Sequence, residues 1–540
     1  MWKKSKIDTL LLFFVLSISL LGISWYFQLI QLEEEKVQNY HESVSFKNKT
    51  RLTYENTQIK EVKALHPQHN IYYSTDGGAS FVKAGGELKM GQIQMPDEII
   101  NIPTAVRWRA PLNNFAEVKA VRVMLVDEQK KIRSNIVDLV NTQTVEHDLP
   151  LIHLTLHQSD LLSEQKGVHV LGATSWNQSG FYEAWWDRKG NFSNRGMDWE
   201  KHINFQLFEN GELKHNQNCG LRISGNATRG FSQKSFRLKA RKIYGDGKFE
   251  YPLMGYEGLK KYESLVLRMS GNDNTKTLFA DMLMQQLANG AEVLTQKGRP
   301  AVVYINGNYW GIYNMRERID TYFIAKYEDA KSKHITILED GAATLKDGKK
   351  KDKEAFDDLI KELKAMDQVE ANDFAMIEEE IQINSFMDYL FFETYYANND
   401  WPNNNSMCYR VKEGKWKWLL NDLDYSLAYP GATNLQINIL DKLKTNASVH
   451  AIIFQKLLTH KPFKDAFKKR CIKNMEKYFN ENRITTIYRD LKQNYESEIP
   501  AHISRWRMID SYRSWEQNCE QNLDFLLNRR EVYKKQIEEL

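Results

Sequence analysis

Acidic and amide side chains cluster in one stretch of the sequence, NNDWPNNNSMCYRVKEGKWKWLLNDLDYS, which begins at Asn398. Asp400 lies five residues before Asn405, and Asp422 and Asp424 follow an apolar run. Mg²⁺ prefers oxygen ligands, and proteins usually hold it with one or two carboxylates plus substrate phosphates. The stretch is therefore typical of a divalent-metal site that holds a nucleotide. A polar loop between a helix and a hairpin is the alternative interpretation, because Asp and Asn favour turns.

The spacing of these side chains also suits phosphoryl transfer. That reaction needs a metal on the phosphates, an Asp that orients the acceptor hydroxyl, and basic groups on the phosphates. In protein kinases the catalytic Asp lies five residues before a metal-binding Asn, and another metal-binding Asp follows after a hairpin. Asp400, Asn405 and Asp422 have this arrangement. Strand alternation places Asp422 and Asp424 on one face, which predicts either a two-carboxylate metal site or a solvated edge.

Basic groups for the phosphates are expected from the segment RGFSQKSFRLKAR. It supplies four cations in a short span: Arg229, Lys234, Arg237 and Lys239. If SFRLKA is a strand, Phe236 and Leu238 face the core, and Arg237 and Lys239 share the opposite face. This cluster suits nucleotide phosphates, and an exposed basic strand face is the alternative. The loop GNATRG resembles a phosphate-cradling turn only loosely, and the chain has no G-x-x-x-x-G-K-[ST] motif.

The elements that must position these residues are predicted to be β-rich first and helical later. Predicted strands and hairpins lie in LPLIHLTL, HINFQLFENGELKHN, CGLRISGNATRGFSQKSFRLKAR and ESLVLRMSGND. The segment RPAVVYINGNYWGIYNMRERID contains an Asn-Gly turn, a strong hairpin signal. Helices are predicted for TKTLFADMLMQQLANG, for FMDYLFFETYYANND and, from apolar spacing, for most residues after about Lys444. This order predicts an α+β domain with two lobes over residues 149–540.

The N-terminal part predicts a membrane anchor followed by a small β-domain. Three lysines precede an uncharged, apolar stretch from Thr9 to Leu32, and about 20 apolar residues span a bilayer. Residues 1–32 are therefore predicted to be a transmembrane signal anchor with the N-terminus cytoplasmic and the body extracytoplasmic; a cleaved signal peptide is the alternative. Residues 33–65 are predicted to be a polar stalk. Short strands separated by Asp-Gly and Gly-Gly turns predict an immunoglobulin-like β-sandwich over 66–148.

Composition limits the classes of function. The 540 residues predict two or three domains, and 74 basic against 70 acidic residues leave a net charge of only +4. A nucleic-acid-binding protein would need a basic footprint, so no nucleic-acid partner is predicted. The four cysteines form no C-x-x-C motif, which argues against a zinc site and leaves their disulfide status open.

Several ordered motifs resemble one known family. The body, roughly residues 149–535, resembles the spore coat protein H (CotH) kinase family, which comprises atypical relatives of protein kinases. The resemblance is carried by five motifs and the helical tail: CGLRISGNATRGFSQKSFRLKARKIYG, YESLVLRMSGNDNTKTLFADMLMQQL, RPAVVYINGNYWGIYNMRERID, NNDWPNNNSMCYR, GKWKWLLNDLDYS and EIPAHISRWR with SWEQNCEQNLDFLLNRR. The segment NIYYSTDGGASF resembles the immunoglobulin-like module at the C-terminus of chitobiases and hexosaminidases.

The resemblance implies a kinase-like fold that uses ATP with Mg²⁺ or Mn²⁺ to phosphorylate Ser or Thr of a protein substrate. Asp400 matches the catalytic aspartate, Asn405 and Asp422 match metal ligands, and Asp424 is a third candidate ligand. Lys234 matches a phosphate-contacting lysine, with Lys239 as its rival. Arg222, Arg237 and Arg268 are further candidates for binding the nucleotide. The residues YSLAYPG after the second aspartate depart from the family pattern.

Two hypotheses from different classes compete. The first is a membrane-anchored, extracytoplasmic, metal-dependent protein Ser/Thr kinase. The second is a catalytically weak or inactive kinase-like scaffold of the cell envelope or surface. A carbohydrate-binding wall protein is a third interpretation, and it rests only on the chitobiase-like segment.

Overall fold

The computed structural model describes residues 44–96, 98–176, 184–427 and 434–540. These residues divide into two compact units. The first comprises the described residues up to Gln94 together with Lys119–Asn141, and the second comprises Met95–Val118 and Thr142–Leu540.

The first unit is made almost entirely of antiparallel strands. Its elements are helix α1 (Phe46–Lys49) and strands β1 (Thr50–Glu55), β2 (Gln58–Ala64), β3 (His69–Ser74), β4 (Val82–Gly85), β5 (Glu87–Lys89), β6 (Lys119–Asp127), β7 (Ile132–Arg133) and β8 (Val137–Asn141). One sheet has the order β1-β2-β5, and the other has the order β4-β3-β6-β7 with β8 also paired to β6. Strands β1 and β2 lie where the sequence predicted a polar stalk. Buried Val62 shows why a strand forms there: it packs inward while its charged neighbours face solvent.

The N-terminal half of the second unit is a closed barrel. Its elements are β9 (Leu151–Thr155), α2 (Gln158–Leu162), β10 (Lys201–Glu209), β11 (Glu212–Ser224), β12 (Ser235–Lys239), β13 (Phe249–Glu250), β14 (Lys261–Tyr262), β15 (Ser264–Arg268), α3 (Ala280–Leu287), β16 (Gly298–Ile305) and β17 (Asn308–Glu317). The barrel order is β10-β11-β12-β15-β17-β16-β9, antiparallel except for the parallel pair β16 and β9. Inward-facing Leu154, Phe236, Leu267 and Trp310 fill its interior. Trp506 donates from Nε1 to the carbonyl of Trp310 at 2.8 Å and packs in the same core.

The C-terminal half of the second unit is mainly helical. Its elements are α4 (Thr321–Tyr327), β18 (Ile335–Glu339), β19 (Thr344–Asp347), α5 (Lys350–Ala365), α6 (Ala371–Glu380), α7 (Ile383–Tyr395), β20 (Met407–Val411), β21 (Lys417–Leu419), α8 (Ile439–Leu443), α9 (Val449–Thr459), α10 (Lys461–Tyr478), α11 (Glu481–Glu496), α12 (Ile499–Trp506) and α13 (Tyr512–Glu538). The strands form a sheet of order β19-β18-β20-β21. Across both units, the described residues also contain short 3₁₀ segments at Met90–Gln92, Glu98–Asn101, Ala173–Ser175, Trp185–Asp187, Asn191–Ser193, Met197–Trp199, Ala227–Gly230, Gly271–Thr275 and Ser332–His334.

The α+β class predicted from the sequence is confirmed, and the strands and helices around the candidate site follow the predicted pattern. The immunoglobulin-like identity of the first unit and the two kinase lobes stay predictions. The cysteines are settled within the described residues: Cys219, Cys408, Cys471 and Cys519 are all buried free thiols.

The predicted membrane location is corrected. None of the helices in the described ranges combines the length and apolar composition that a bilayer span requires. The 27-residue helix α13, for example, carries charged side chains along its whole length. The segment on which the prediction rested, residues 1–32, lies outside the described residues.

Candidate active site

A polar cavity of about 400 Å³ lies between the barrel and the helical half of the second unit. It brings together five of the residues that the sequence predicted for a phosphoryl-transfer site: Arg268, Asp400, Asn405, Asp422 and Asp424. The other lining residues are Ser224, Gly225, Asn226, Ala227, Thr228, Ser235, Val266, Gly271, Asn272, Asp340 and Asn404. The candidate catalytic, metal-binding and phosphate-binding side chains therefore face one space.

Asp400 is held by the loop that follows helix α7. Its Oδ1 accepts from Nδ2 of Asn404 at 2.8 Å, and its Oδ2 accepts from Nδ2 of Asn405 at 2.5 Å. Its backbone N–H donates to Oδ1 of Asn398 at 3.2 Å. The loop is fixed to α7 by Trp401, whose Nε1 donates to the hydroxyl of Tyr389 at 2.7 Å. These contacts set the orientation of the Asp400 carboxylate.

Asp422 is delivered by the hairpin of β20 and β21. Leu420, two residues earlier, donates from its backbone N–H to the carbonyl of Leu294 at 2.9 Å and accepts from Nε2 of Gln285 at 3.2 Å. Asp422 itself has a φ of 56°, and Asn405 has the same value. Left-handed backbone is unfavourable for residues other than glycine and often marks functional sites. Asn405 and Asp422, two of the three candidate metal ligands, therefore occupy positions where the surrounding fold imposes the backbone conformation.

Arg268, at the end of β15, is the cation that meets the two acidic side chains. Its guanidinium donates from one nitrogen to Asp422 Oδ1 and Asp424 Oδ2. The same nitrogen lies 3.7 Å from Asp281 on α3, and Asp281 pairs with Arg316 at 2.8 Å. Asp424 also accepts from the backbone N–H and the Nδ2 of Asn272, both at 3.0 Å. The counter-cation that paired carboxylates require is thus a residue of the barrel.

Burial and charge oppose one another in this cluster. Burial, and next the neighbouring carboxylate of Asp422, raise the pKa of Asp424 well above its usual value, while Arg268 acts against that rise. Burial lowers the pKa of Arg268, but the charges of Asp422, Asp424 and Asp281 outweigh burial and raise that pKa above its ordinary value. Two carboxylates that share a site behave in this way because both cannot ionise without a nearby cation.

A glycine turn closes the barrel side of the cavity. Strand β11 ends at Ser224, Gly225 follows with a φ of 101°, and a 3₁₀ segment begins at Ala227. Arg229 supports this turn from behind, since its Nε donates to the carbonyl of Gly225 and its Nη2 to that of Ile223, both at 2.7 Å. The loop GNATRG, which resembles a phosphate-cradling turn only loosely in sequence, therefore lines the cavity.

A second cavity of about 220 Å³ adjoins the first and shares Ser224, Val266 and Arg268 with it. Its other walls are Gln296, Arg316, Glu317, Arg318, Ile319, Lys346, Met407 and Asn421. Residues 318–320 connect β17 to α4, and two of them line this cavity, which therefore lies at the junction between the barrel and the helical half. The two adjoining cavities are called the cleft below.

The structure does not bring Lys234 to this cleft. Its Nζ donates to the carbonyls of Thr104 at 2.9 Å and Phe231 at 2.6 Å, and it lies 4.1 Å from the ring centre of Phe192. Burial, and then the charge of Arg229, lower the pKa of Lys234 well below its ordinary value. The reason is strand alternation: Lys234 has the parity of Phe236 and Leu238, which fill the barrel core.

Arg222, Arg237 and Lys239 lie on the outer face of the barrel, as alternation predicted for the last two, but outside the residues that line the two cavities. Arg222 donates from Nε to Glu200 at 2.7 Å, and Arg241 pairs with the same carboxylate at 2.6 Å. Burial, and then the charges of Arg318 and Arg222, lower the pKa of Arg237 to about 10. These cations form a patch beside the cleft, and their contact with a nucleotide stays a prediction.

Two residues that line the cavity, Ser224 and Asn272, are not among the site residues predicted from the sequence, and neither is Asp281, which is buried behind Arg268. A signal for the first two is present in the sequence. The pattern Arg-x-Ser-Gly-Asn occurs twice, at 222–226 and 268–272, each time at a strand end. Both glycines have positive φ, and residues of both copies line the cavity.

The donor set of the cavity fits a hard divalent cation. The carboxylate of Asp422 is 31% exposed, and the amide of Asn405 lines the same cavity. Within the described part of the chain, no group of three or more His, Cys, Asp or Glu side chains is arranged to hold a metal. Mg²⁺ usually keeps several waters and binds through one or two carboxylates plus substrate phosphates, so a site with few protein carboxylates suits it.

Comparison with known proteins identifies the family. No curated protein matches the chain. Residues 221–533 match the family described as CotH kinase protein, and this region is more than half of the chain and includes every residue that lines the first cavity. The chain therefore belongs to the CotH kinase family.

Proposed function

We propose that this protein is a metal-dependent kinase that transfers the γ-phosphoryl group of ATP to a Ser or Thr hydroxyl of a protein substrate. The observation that carries the proposal is the convergence of Asp400, Asn405, Asp422 and Arg268 on one cavity. These residues supply the three kinds of group that phosphoryl transfer needs: an aspartate for the acceptor, metal ligands and a cation.

The cleft has room for a nucleotide. The first cavity, with its glycine turn and Arg268, suits the phosphates, because backbone N–H groups and a guanidinium both favour anions. The second cavity presents the apolar side chains of Val266, Ile319 and Met407, which suit the base.

Asp422 and Asn405 are the residues that would hold Mg²⁺ or Mn²⁺. When bound there, the ion neutralises phosphate charge and so lowers the barrier to attack by the acceptor. Asp424 is less suited to this task, because both its oxygens already accept from Asn272 and one also accepts from Arg268. Its task is to fix Arg268 and the 271–275 turn.

Asp400 acts on the acceptor. The acceptor hydroxyl oxygen forms a bond to the γ-phosphorus, the bond from that phosphorus to the β–γ bridging oxygen breaks, and ADP leaves. Asp400 accepts the hydroxyl proton. The amides of Asn404 and Asn405 hold its carboxylate in a fixed orientation while this happens.

A radiolabel-transfer assay tests the proposal. Residues 44–540 would be incubated with γ-labelled ATP, Mg²⁺ or Mn²⁺ and a generic acidic protein, with autophosphorylation measured in parallel. We expect transfer that Asp400→Asn and Asp422→Asn each reduce by at least about 100-fold, the lower end of what a general base contributes. Asp465→Asn, which removes a carboxylate from the exposed face of α10, is the matched control and should leave transfer unchanged. Transfer that persists in both cleft variants would contradict the proposal.

A kinase-like scaffold without catalysis is the second candidate. The observation that favours it is that Arg268 already satisfies Asp422 and Asp424 within the protein itself. A scaffold would show neither label transfer nor any nucleotide-dependent change in stability.

A further inference from the structure

Arg268 makes contacts of two different kinds with the acidic pair. Its contact with Asp424 lies in the interior, because the Asp424 side chain is only 2% exposed and is fixed by two hydrogen bonds from Asn272. Gly271 leaves no space there, since a Cβ at this position would collide with the Asp424 carboxylate. The contact with Asp424 therefore anchors the guanidinium nitrogen that makes it.

The contact with Asp422 faces the cavity instead. The Asp422 side chain is 31% exposed, and its position at the cavity wall makes it reachable for a cation from solvent. Its Oδ1 is the atom that accepts from Arg268. A metal ion on this carboxylate would have to bind beside a guanidinium that already neutralises it, and like charges at such separations repel by about 1 kcal/mol or more.

The same guanidinium nitrogen keeps two other carboxylate partners, so Arg268 stays in place when the contact with Asp422 is lost. Asp281 lies 3.7 Å from the guanidinium, and Asp281 is itself held by Arg316 at 2.8 Å. Arg268 can therefore give up Asp422 and stay bound to Asp424 and Asp281. The guanidinium, no longer paired with Asp422, would then be able to pair with an anion in the cavity, where the glycine turn and Ser235 line the same space.

We propose that Arg268 is a positioning residue that makes metal binding depend on nucleotide. Without nucleotide it occupies Asp422 and keeps the affinity for a free divalent cation low. With nucleotide it pairs with phosphate oxygens, and Asp422 becomes available to the metal. This inference rests on the proposed function, because it requires the cleft to bind both a metal and a nucleotide.

The test measures binding and needs no catalysis. Mn²⁺ binding to the full-length protein would be followed by the electron paramagnetic resonance signal of free Mn²⁺, with and without a non-hydrolysable ATP analogue, against protein-free samples that contain the same Mn²⁺ and analogue. In Arg268→Gln we expect the affinity for Mn²⁺ alone to rise by about tenfold, and the affinity for the analogue without metal to fall by a similar factor, since couplings of this kind are typically 5–150-fold. A merely structural role of Arg268 would move both affinities in the same direction.

Two further variants complete the design. Lys461→Gln removes one positive charge from an exposed position on α10, so it controls for net charge and should leave both affinities unchanged. Arg268→Lys keeps the charge but replaces the planar guanidinium with a single ammonium group on a shorter side chain, so its Mn²⁺ affinity should lie between those of the wild type and Arg268→Gln. This variant carries the test if Arg268→Gln does not fold.

The outcomes separate the inference from the proposed function. Mn²⁺ that binds the wild type and the Arg268 variants with equal affinity would overturn the inference and leave the kinase proposal intact. Mn²⁺ that binds neither with nor without the analogue would overturn both. The opposite shifts described above would support the inference even if no protein substrate is known.

Discussion

At the residue scale, the candidate catalytic side chain depends on a buried polar chain that starts in helix α7. Glu393 is fully buried, and its Oε2 accepts from Nδ2 of Asn398 at 2.8 Å. Asn398 in turn accepts from the backbone N–H of Asp400 at 3.2 Å. Burial raises the pKa of Glu393 from 4.5 to about 8, while the Asn398 hydrogen bond opposes that rise. Glu393 is thus an acid that the fold prefers in its neutral form.

Glu393 predicts a specific pH dependence of stability. Because its pKa is higher in the folded protein, its stabilising contribution is complete below about pH 4.5 and is lost as the pH rises through 8. Glu393→Gln removes this titration, so its free energy of unfolding relative to the wild type should be higher at pH 9 than at pH 5. Denaturant unfolding at both pH values measures the difference. The exposed Glu379→Gln is the control, and equal pH dependence in wild type and Glu393→Gln would contradict the prediction.

Lys234, which the family resemblance matches to a phosphate-contacting lysine, gives a second prediction, because the structure places it away from the cavity. Lys234→Met should lower the free energy of unfolding by about 1–3 kcal/mol, because it removes the donor to the carbonyls of Thr104 and Phe231. Its affinity for an ATP analogue should stay within about twofold of the wild type, a difference of under about 0.5 kcal/mol. Thermal melting and analogue titration measure the two quantities. A variant that melts like the wild type but no longer binds the analogue would contradict this prediction and indicate that Lys234 contacts the phosphates.

At the element scale, local sequence patterns predicted the individual strands and helices, but they did not predict which distant strands pair. The hairpin between Asn405 and Asp422, the strand carrying Arg237 and the helix before Asp400 all follow from periodicity and turn residues. The closure of the barrel through the parallel pair β16 and β9 does not, because it joins residues about 150 positions apart and leaves no local signal. For this reason the sequence placed Arg237 and Lys239 on the correct face but could not tell that the cleft lies beside them.

The β20–β21 hairpin depends on a buried tryptophan that positions Asp422. Trp418 is fully buried and packs against Phe386, with ring centres 4.6 Å apart. Trp418→Ala should destabilise the protein by about 3–5 kcal/mol, as expected when a large core aromatic is truncated, and should weaken Mn²⁺ binding at Asp422. Trp186→Ala, at a partly exposed tryptophan, should have a much smaller effect. Equal losses of stability in the two variants would contradict this account.

At the scale of the whole molecule, the chain does not divide at the boundary that the sequence predicted. Residues 95–118 belong to the second unit, although they lie within the predicted β-sandwich of 66–148. Thr104 accepts from Lys234, and Leu112 donates from its backbone N–H to the carbonyl of Ser504 at 3.0 Å. No local feature of residues 95–118 indicates these distant partners, which is why the boundary could not be read from composition.

Ligand linkage gives the prediction that belongs to this scale. A nucleotide that binds only the folded second unit should stabilise it by about 2.7 kcal/mol at a concentration 100 times its Kd. Because the cleft is built from both the barrel and the helical half, we expect the second unit to melt in one transition. Its melting temperature should rise when an ATP analogue and Mg²⁺ are present together. Calorimetry of residues 44–540 measures this shift. Asp422→Asn should remove most of it, since the metal loses a carboxylate ligand, whereas Asp465→Asn should keep it. A melting temperature that no combination of nucleotide and metal moves would favour the scaffold, in which Arg268 neutralises Asp422 and Asp424 permanently.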